Sequence, residues 1–296
     1  MKKLLPLLAL CALFAGCKPS NEITDEPLLK NKIIAGPASS KLVGDPAFHI
    51  SILLDGTNSL ENALFTGDAS IIKKFAPDGH TPVACNVLLV KPAFMVFKPI
   101  LIDTGYGGDL LAQLKTHGLS PENIGDILIT HTHFDHVGGL MTTNGTAAFP
   151  NATLHITAAE LEFWKNSKPP LANPELATAV EKAYKIEFIT PDGKTPVANP
   201  YITAIDVAGH TPGHVVFRFG WENAILFAGD ILHSELLQFA HPEIYPVFDN
   251  DKDAAHIART NILTRAAENN WTFYSSHVTR SGKIVKDGEG FKLVER

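Results

Sequence analysis

The chain has 296 residues, 45% of them hydrophobic and 19% charged, which is too apolar for a disordered chain. That length fits one large or two small domains, either able to bury a core without staples, and 3 Cys are too few for a disulfide framework. Charge runs 25 positive against 31 negative with no Lys/Arg cluster, which argues against a nucleic-acid partner because phosphate binding needs concentrated positive charge.

Met1-Lys2-Lys3 gives a positive start, followed by an apolar run over residues 4–15. The run is too short for a membrane span, which needs about 20 residues, and has the length of a signal-peptide core. Its ending, Ala15-Gly16-Cys17, resembles a bacterial lipoprotein signal. The resemblance implies cleavage after residue 16 and acylation of Cys17. The protein would then be exported and anchored to a membrane, facing the periplasm. An ordinary secretory signal cleaved nearby is the alternative. Residues 17–40 are polar and Pro-containing and read as a tether, which leaves 41–296 as one domain. Cys85, inside the apolar run 83–90, reads as a small buried hydrophobe.

Residues 48–54 alternate loosely and predict a strand ending in a turn at Asp55-Gly56. Residues 55–82 then read as a loop over the site. Apolar runs at 83–90 and 100–102 predict strands, and residues 110–117 a helix stopped by Gly118. A further helical turn opens at Pro121. Residues 127–130 form a short buried-type strand leading into His131-Thr132-His133-Phe134-Asp135-His136. A strand at 153–157 and helices at 158–164 and 174–184 follow. Strands are predicted at 186–189, 201–207, 215–219 and 224–227, a helix at 253–269 and a strand at 272–275. Strands interleaved with helices in this way indicate an α/β layered protein.

The densest chemistry lies at residues 131–136. Four ligand-type side chains in six residues would repel as cations and waste polar groups if merely buried. Alternation in an extended segment points His131 and His133 the same way, and a following helical turn brings Asp135 and His136 near them. Imidazole with carboxylate suits zinc and similar divalent ions. His210, Asp230 and His277 each follow an apolar strand, where loops at one edge of a layered sheet converge. His214 reads as structural. His233, three residues after Asp230, is close enough to line a pocket. His49, His80, His117, His155, His241 and His256 show no partner pattern. Asp109 and Glu160 read as solvated helix charges, and Asp249, Asp251 and Asp253 as an acidic helix start.

The order His-x-His-x-Asp-His, Gly-His-Thr-Pro-Gly-His, Gly-Asp and a late His resembles the metallo-β-lactamase-fold hydrolases over residues 45–290. The resemblance implies a four-layer αββα sandwich with two divalent metals at one edge, zinc first, with manganese, iron or cobalt also accepted. Carried onto these positions, one metal takes His131, His133 and His210. The other takes Asp135, His136 and His277. Asp230 bridges them together with a water or hydroxide, and Asp103 steadies a ligand imidazole. Such a pair supplies hydroxide at neutral pH, with Asp135 as proton shuttle. Residues 136–141, 149–152 and 162–164 are similar to the methyl parathion hydrolase branch, neighbour of the quorum-quenching lactonases. That similarity puts Trp164 in the leaving-group pocket, with Phe65, Phe188 and Phe239 as candidates for the rest.

The expected function is therefore a dinuclear metal-dependent hydrolase cleaving a small ester, lactone or phosphotriester-like bond in the periplasm. A β-lactamase with all-His/Asp ligands and an iron-dependent redox enzyme of the same fold are the alternatives. A metal-binding lipoprotein without activity would have to explain away seven ligands. The sequence does not disclose the oligomeric state.

Overall fold

The computed structural model describes residues 39–41, 48–93, 96–168, 171–221 and 224–295. The signal and Cys17 lie outside the described residues. Strands β1 (Ser39–Lys41), β2 (Phe48–Glu61) and β3 (Phe65–Thr66) precede helix α1 (Ala69–Phe75). Next come β4 (His80–Pro92), β5 (Ile100–Ile102), α2 (Leu110–Thr116), β6 (Asp126–Leu128) and α3 (Phe134–Val137). Then follow β7 (Thr153–Ile156), α4 (Ala158–Asn166), α5 (Pro174–Ala183) and β8 (Lys185–Phe188). The second half holds β9 (Asp192–Val197), β10 (Asn199–Asp206), β11 (Val215–Phe219), β12 (Ile225–Phe227) and α6 (Glu235–Gln238). It ends with β13 (Tyr245–Pro246), α7 (Lys252–Glu268), β14 (Thr272–Tyr274), β15 (Gly282–Asp287) and β16 (Gly290–Glu295).

Two seven-stranded sheets carry the fold, ordered β1-β2-β4-β5-β6-β7-β8 and β16-β15-β14-β12-β11-β10-β9. The alternation of side chains along β4 explains the layering. Leu88 and Val90 point to a core shared with Phe217, Phe219 and Phe227 of the second sheet. Val87 and Leu89 point the other way, to a core with Leu110, Leu114 and Trp164 from the helices. On the outer face of the second sheet, Leu226 and Phe273 meet Ile262, Leu263 and Ala266 of α7. Three stacked cores between helix, sheet, sheet and helix make the expected αββα sandwich.

The structure corrects three expectations. β1 begins two residues inside the stretch read as tether, and pairs with β2. β9, β15 and β16, at the two ends of the second sheet, are invisible to periodicity because they are largely polar; β15 is held inward by Ile284 and β16 by Phe291. Asp55-Gly56 is not a turn. The register with β4 shifts between Leu54 and Gly56, so the pair marks a bulge inside β2. Residues 55–82 are accordingly strand, helix and strand rather than a loop, though Asn58 and Leu60 do reach the pocket.

At that bulge the Asp55 carboxylate turns inward. It accepts the N–H of Gly107 at 3.0 Å, Gly108 at 3.2 Å and Leu110 at 2.7 Å, tying the start of α2 to β2. Asp55→Ala leaves three N–H donors without this acceptor and is expected to cost about 3 kcal/mol, read as a lower denaturation midpoint at unchanged m-value.

Candidate metal centre

Parallel pairing of β5 with β6 and of β12 with β14 sends the segments after these strands to one edge of the sandwich. Asp103 follows β5, His131 and His133 follow β6, Asp230 follows β12 and His277 follows β14. His210 lies in the turn joining β10 to β11. The single turn of α3 starts from His133 as its cap and carries Asp135 and His136 inward. All seven predicted ligands are buried and meet here.

His133 Nδ1 stands 3.2 Å from His131 Nε2 and 3.0 Å from His210 Nε2. The Asp230 carboxylate lies between two sets of nitrogens. Its Oδ2 is 3.5 Å from His131 Nε2, 3.3 Å from His210 Nε2 and 3.1 Å from His277 Nε2. Its Oδ1 is 3.2 Å from His136 Nε2. Asp135 Oδ2 completes the far side, 3.4 Å from His277 Nε2.

Outer partners decide which nitrogens face inward. Asp103 Oδ2 accepts from His136 Nδ1 at 2.8 Å. Asp249 Oδ1 accepts from His210 Nδ1 at 2.9 Å, and the Ala84 carbonyl accepts from His277 Nδ1 at 2.8 Å. Each acceptor lacks a proton, so each Nδ1 carries one and Nε2 is the nitrogen left to ligate a cation at the centre. Asp103 is itself held by the Thr130 N–H at 2.8 Å and the Thr130 hydroxyl at 2.7 Å.

Electrostatics follow from burial. Desolvation drives His131 and His133 well below the ordinary imidazole value. It pushes the same way on His136, but Asp230, Asp135 and Asp103 outweigh it and raise that group well above. His210 is raised to about 9 because Asp230 and Asp249 overcome burial. Burial would lift Asp230, yet the imidazoles around it hold it well below the carboxylate range. His233 falls to about 4 through burial.

The donors fit divalent cations. His131, His133, His210 and Asp230 offer ligand atoms within 4.8 Å of one another, as do Asp135, His136 and His277. His136 Nε2 and Asp230 Oδ1 are among the buried side-chain atoms without a hydrogen-bond partner, and both face the same point, where a cation would satisfy them. Imidazole nitrogens at hydrogen-bond distance with lone pairs converging on one point are what a cation resolves.

Other expectations sort differently. His233 lines the pocket, its Nε2 3.1 Å from Asp230 Oδ2. Trp164 does not line it: its side chain is 0% exposed in the core beneath the helices, because α4 turns that face onto the first sheet. Phe239 is buried against Phe273, Phe65 is buried in the cluster behind the pocket walls without lining the pocket, and Phe188 is 63% exposed on the outer strand β8. The pocket walls are instead Leu60, Val83, Cys85, Tyr106 and Phe248. Cys85 is buried as expected, and its Sγ also contacts the Asp135 carbonyl at 3.4 Å. His214 is structural, accepting the Asp230 N–H on Nε2 at 3.3 Å.

Two carboxylates were misread from sequence. Asp249 does not decorate a helix start; it is buried between His210 and Arg259, whose Nη2 lies 3.1 Å away. Glu160 is not solvated but 0% exposed. Its partners, Thr132, Thr211 and Gly213, are 28 to 53 residues distant in sequence, so no local spacing reveals it.

The model of the metallo-beta-lactamase superfamily matches residues 80–268, more than half of the chain. A hydroxyacylglutathione hydrolase of Saccharophagus degradans is 25% identical over 158 residues, covering 51% of this chain and 50% of that protein. One from Aliivibrio salmonicida is 33% identical, covering 46% of this chain and 42% of that protein. The chain thus spans about half the length of the curated relatives it matches. Solved structures match more fully. AidC, a dizinc quorum-quenching lactonase in complex with a homoserine product, has TM-score 0.77 and 27% identity, over 88% of this chain and 98% of that one. The hydrolase AbOPH of the beta lactamase superfamily has TM-score 0.72 and 28% identity, over 89% and 98%. With its fold and its ligand set on one sheet edge, the chain belongs to the metallo-beta-lactamase superfamily.

Proposed function

We propose that the protein is a dinuclear hydrolase that attacks a small ester, lactone or related bond with an activated water. The observation that carries this reading is Asp230, one carboxylate whose Oδ2 faces His210 of one ligand set and His277 of the other while its Oδ1 faces His136. When bound, the two cations, zinc first among them, lower the pKa of water and polarise the carbonyl or phosphoryl oxygen. His131, His133 and His210 hold one position; Asp135, His136 and His277 hold the other. Asp135, at the pocket wall, takes the proton released by water and returns it to the leaving group. The Leu60, Val83, Tyr106 and Phe248 walls receive the apolar part of the substrate, and His233 faces its polar end. Near-complete coverage of a dizinc lactonase favours a lactone or ester.

The test is initial rates of the full chain on four probes, each with and without chelator. These are an aryl ester, an acyl-homoserine lactone, an aryl phosphotriester and a chromogenic cephalosporin. Chelator-sensitive turnover of the lactone or ester is expected. Turnover of the cephalosporin alone would move the protein to β-lactam chemistry.

Metal uptake carries its own signature. In the metal-free protein Asp230 and Asp249 raise the His210 pKa to about 9, so that imidazole holds an extra proton at pH 7, and the neighbouring carboxylates push His136 and His277 upward as well. A cation takes only the neutral imidazole, so uptake expels protons and affinity rises with pH, about tenfold per unit for each proton displaced. Calorimetry of zinc binding in two buffers of different ionisation enthalpy is expected to show proton release at pH 7; identical heats would contradict it. We also propose export and anchoring through acylated Cys17, supported by the pattern of residues 1–17. Cys17→Ala is expected to move the protein from the membrane fraction to the soluble periplasmic fraction.

A further inference from the structure

Glu160 sits in the first turn of α4, and its carboxylate is buried where the two ligand-bearing loops meet. Its Oε1 accepts the Thr132 N–H and the Thr132 hydroxyl, both at 2.8 Å. Its Oε2 accepts the Thr211 hydroxyl at 2.6 Å and the Gly213 N–H at 3.0 Å. Thr132 stands between His131 and His133; Thr211 follows His210. One carboxylate therefore joins the two segments that supply all three imidazoles of one site.

The neighbourhood is built around this contact. Thr157 Oγ1 accepts the Glu160 N–H at 3.1 Å and donates to the Gly213 carbonyl at 3.0 Å. A Cβ at Gly213 would stand 2.4 Å from the Glu160 backbone nitrogen, so the turn closes on α4 with no room for a side chain. All four donors point at an acceptor that must accept on both oxygens, which only an ionised carboxylate does at this size. His131 and His210 have no covalent link shorter than 79 residues, yet their nitrogens must stay within a few tenths of an ångström of their positions to share a cation.

We propose that Glu160 is a positioning residue for the His131–His133–His210 metal site, setting the separation of its two loops. The proposal rests on the dinuclear reading above. It predicts a metal-binding defect rather than a purely structural one. Glu160→Gln preserves size, but its NH2 must face a backbone N–H, that of Thr132 or of Gly213, and one arm is lost. Thr211→Val removes a single arm and tests the same link in a milder way.

The experiment titrates zinc into the metal-free full chain against a chromogenic chelator and records Tm with and without saturating zinc. Wild type is expected to bind two equivalents. Glu160→Gln is expected to bind one of them about 10- to 100-fold more weakly, with Thr211→Val shifted in the same direction. Wild-type zinc affinities in Glu160→Gln and Thr211→Val, whatever their Tm, would overturn the inference and leave the dinuclear reading intact. If Glu160→Gln does not fold, the affinity of Thr211→Val alone decides between these two results. A wild type that binds no zinc would overturn both.

Discussion

Asp230→Ala is expected to lower kcat/KM by at least about 10³-fold and to cut bound zinc from two equivalents to one or fewer. Asp230 faces both ligand sets, through Oδ2 to His131, His210 and His277 and through Oδ1 to His136. Removing it takes away the anion that lets two dications approach each other. Each remaining set also drops to three donors from a single side. Asp230→Asn separates shape from charge, since it keeps the volume but offers one acceptor oxygen instead of two. It is expected to behave like the alanine variant. Stoichiometry by elemental analysis, measured beside turnover on the best probe, checks the pair. An asparagine variant with two bound zinc ions and wild-type turnover would contradict the bridging role.

Asp103→Ala carries the second large effect, on stability and metal together. Asp103 adopts φ +62°, a left-handed conformation that Asp tolerates better than Ala. Its carboxylate accepts three buried hydrogen bonds, from the Thr130 N–H, the Thr130 hydroxyl and His136 Nδ1. Alanine strands the Thr130 N–H and the His136 Nδ1–H without an acceptor in a fully buried place. The expected loss is about 3–5 kcal/mol, or roughly 10 °C in Tm for a domain of this size. His136 would also be free to turn or change tautomer, so zinc affinity should fall about 10- to 100-fold. Differential scanning calorimetry with and without zinc separates the two. Asp103→Asn keeps one oxygen for the Thr130 N–H and is expected to recover part of the Tm but not the affinity. Full recovery of both would show that Asp103 only fills space.

The ligands were legible because their chemistry is local. Residues 131–136 cannot be explained as packing, and His210, Asp230 and His277 each follow a strand that declares itself by apolarity. The layering was legible from short apolar strands alternating with helices. What escaped was set by tertiary contact. Trp164 and Phe239 look like pocket aromatics in a linear pattern, yet helix rotation and sheet packing send both into cores. Glu160 and Asp249 have the sequence surroundings of exposed helix-start charges, and only the meeting of distant loops makes them buried supports. Asp55-Gly56 has turn composition, but pairing with β4 continues past it and leaves a bulge. The pocket walls, Leu60, Val83 and Phe248, are ordinary apolar residues that acquire a role only from where α1 and α6 hold them, in one cluster with Ile72 and Leu237.

The dinuclear site turns on where the cations sit. A crystal of the zinc-loaded protein, with anomalous diffraction recorded across the zinc edge, measures that directly. Two peaks are predicted. One lies among His131 Nε2, His133 Nδ1, His210 Nε2 and Asp230; the other lies among Asp135, His136, His277 and Asp230. Asp230, His233 and His277 also offer three ligand atoms close together. A single peak held by those three residues, with nothing between His131, His133 and His210, would contradict it.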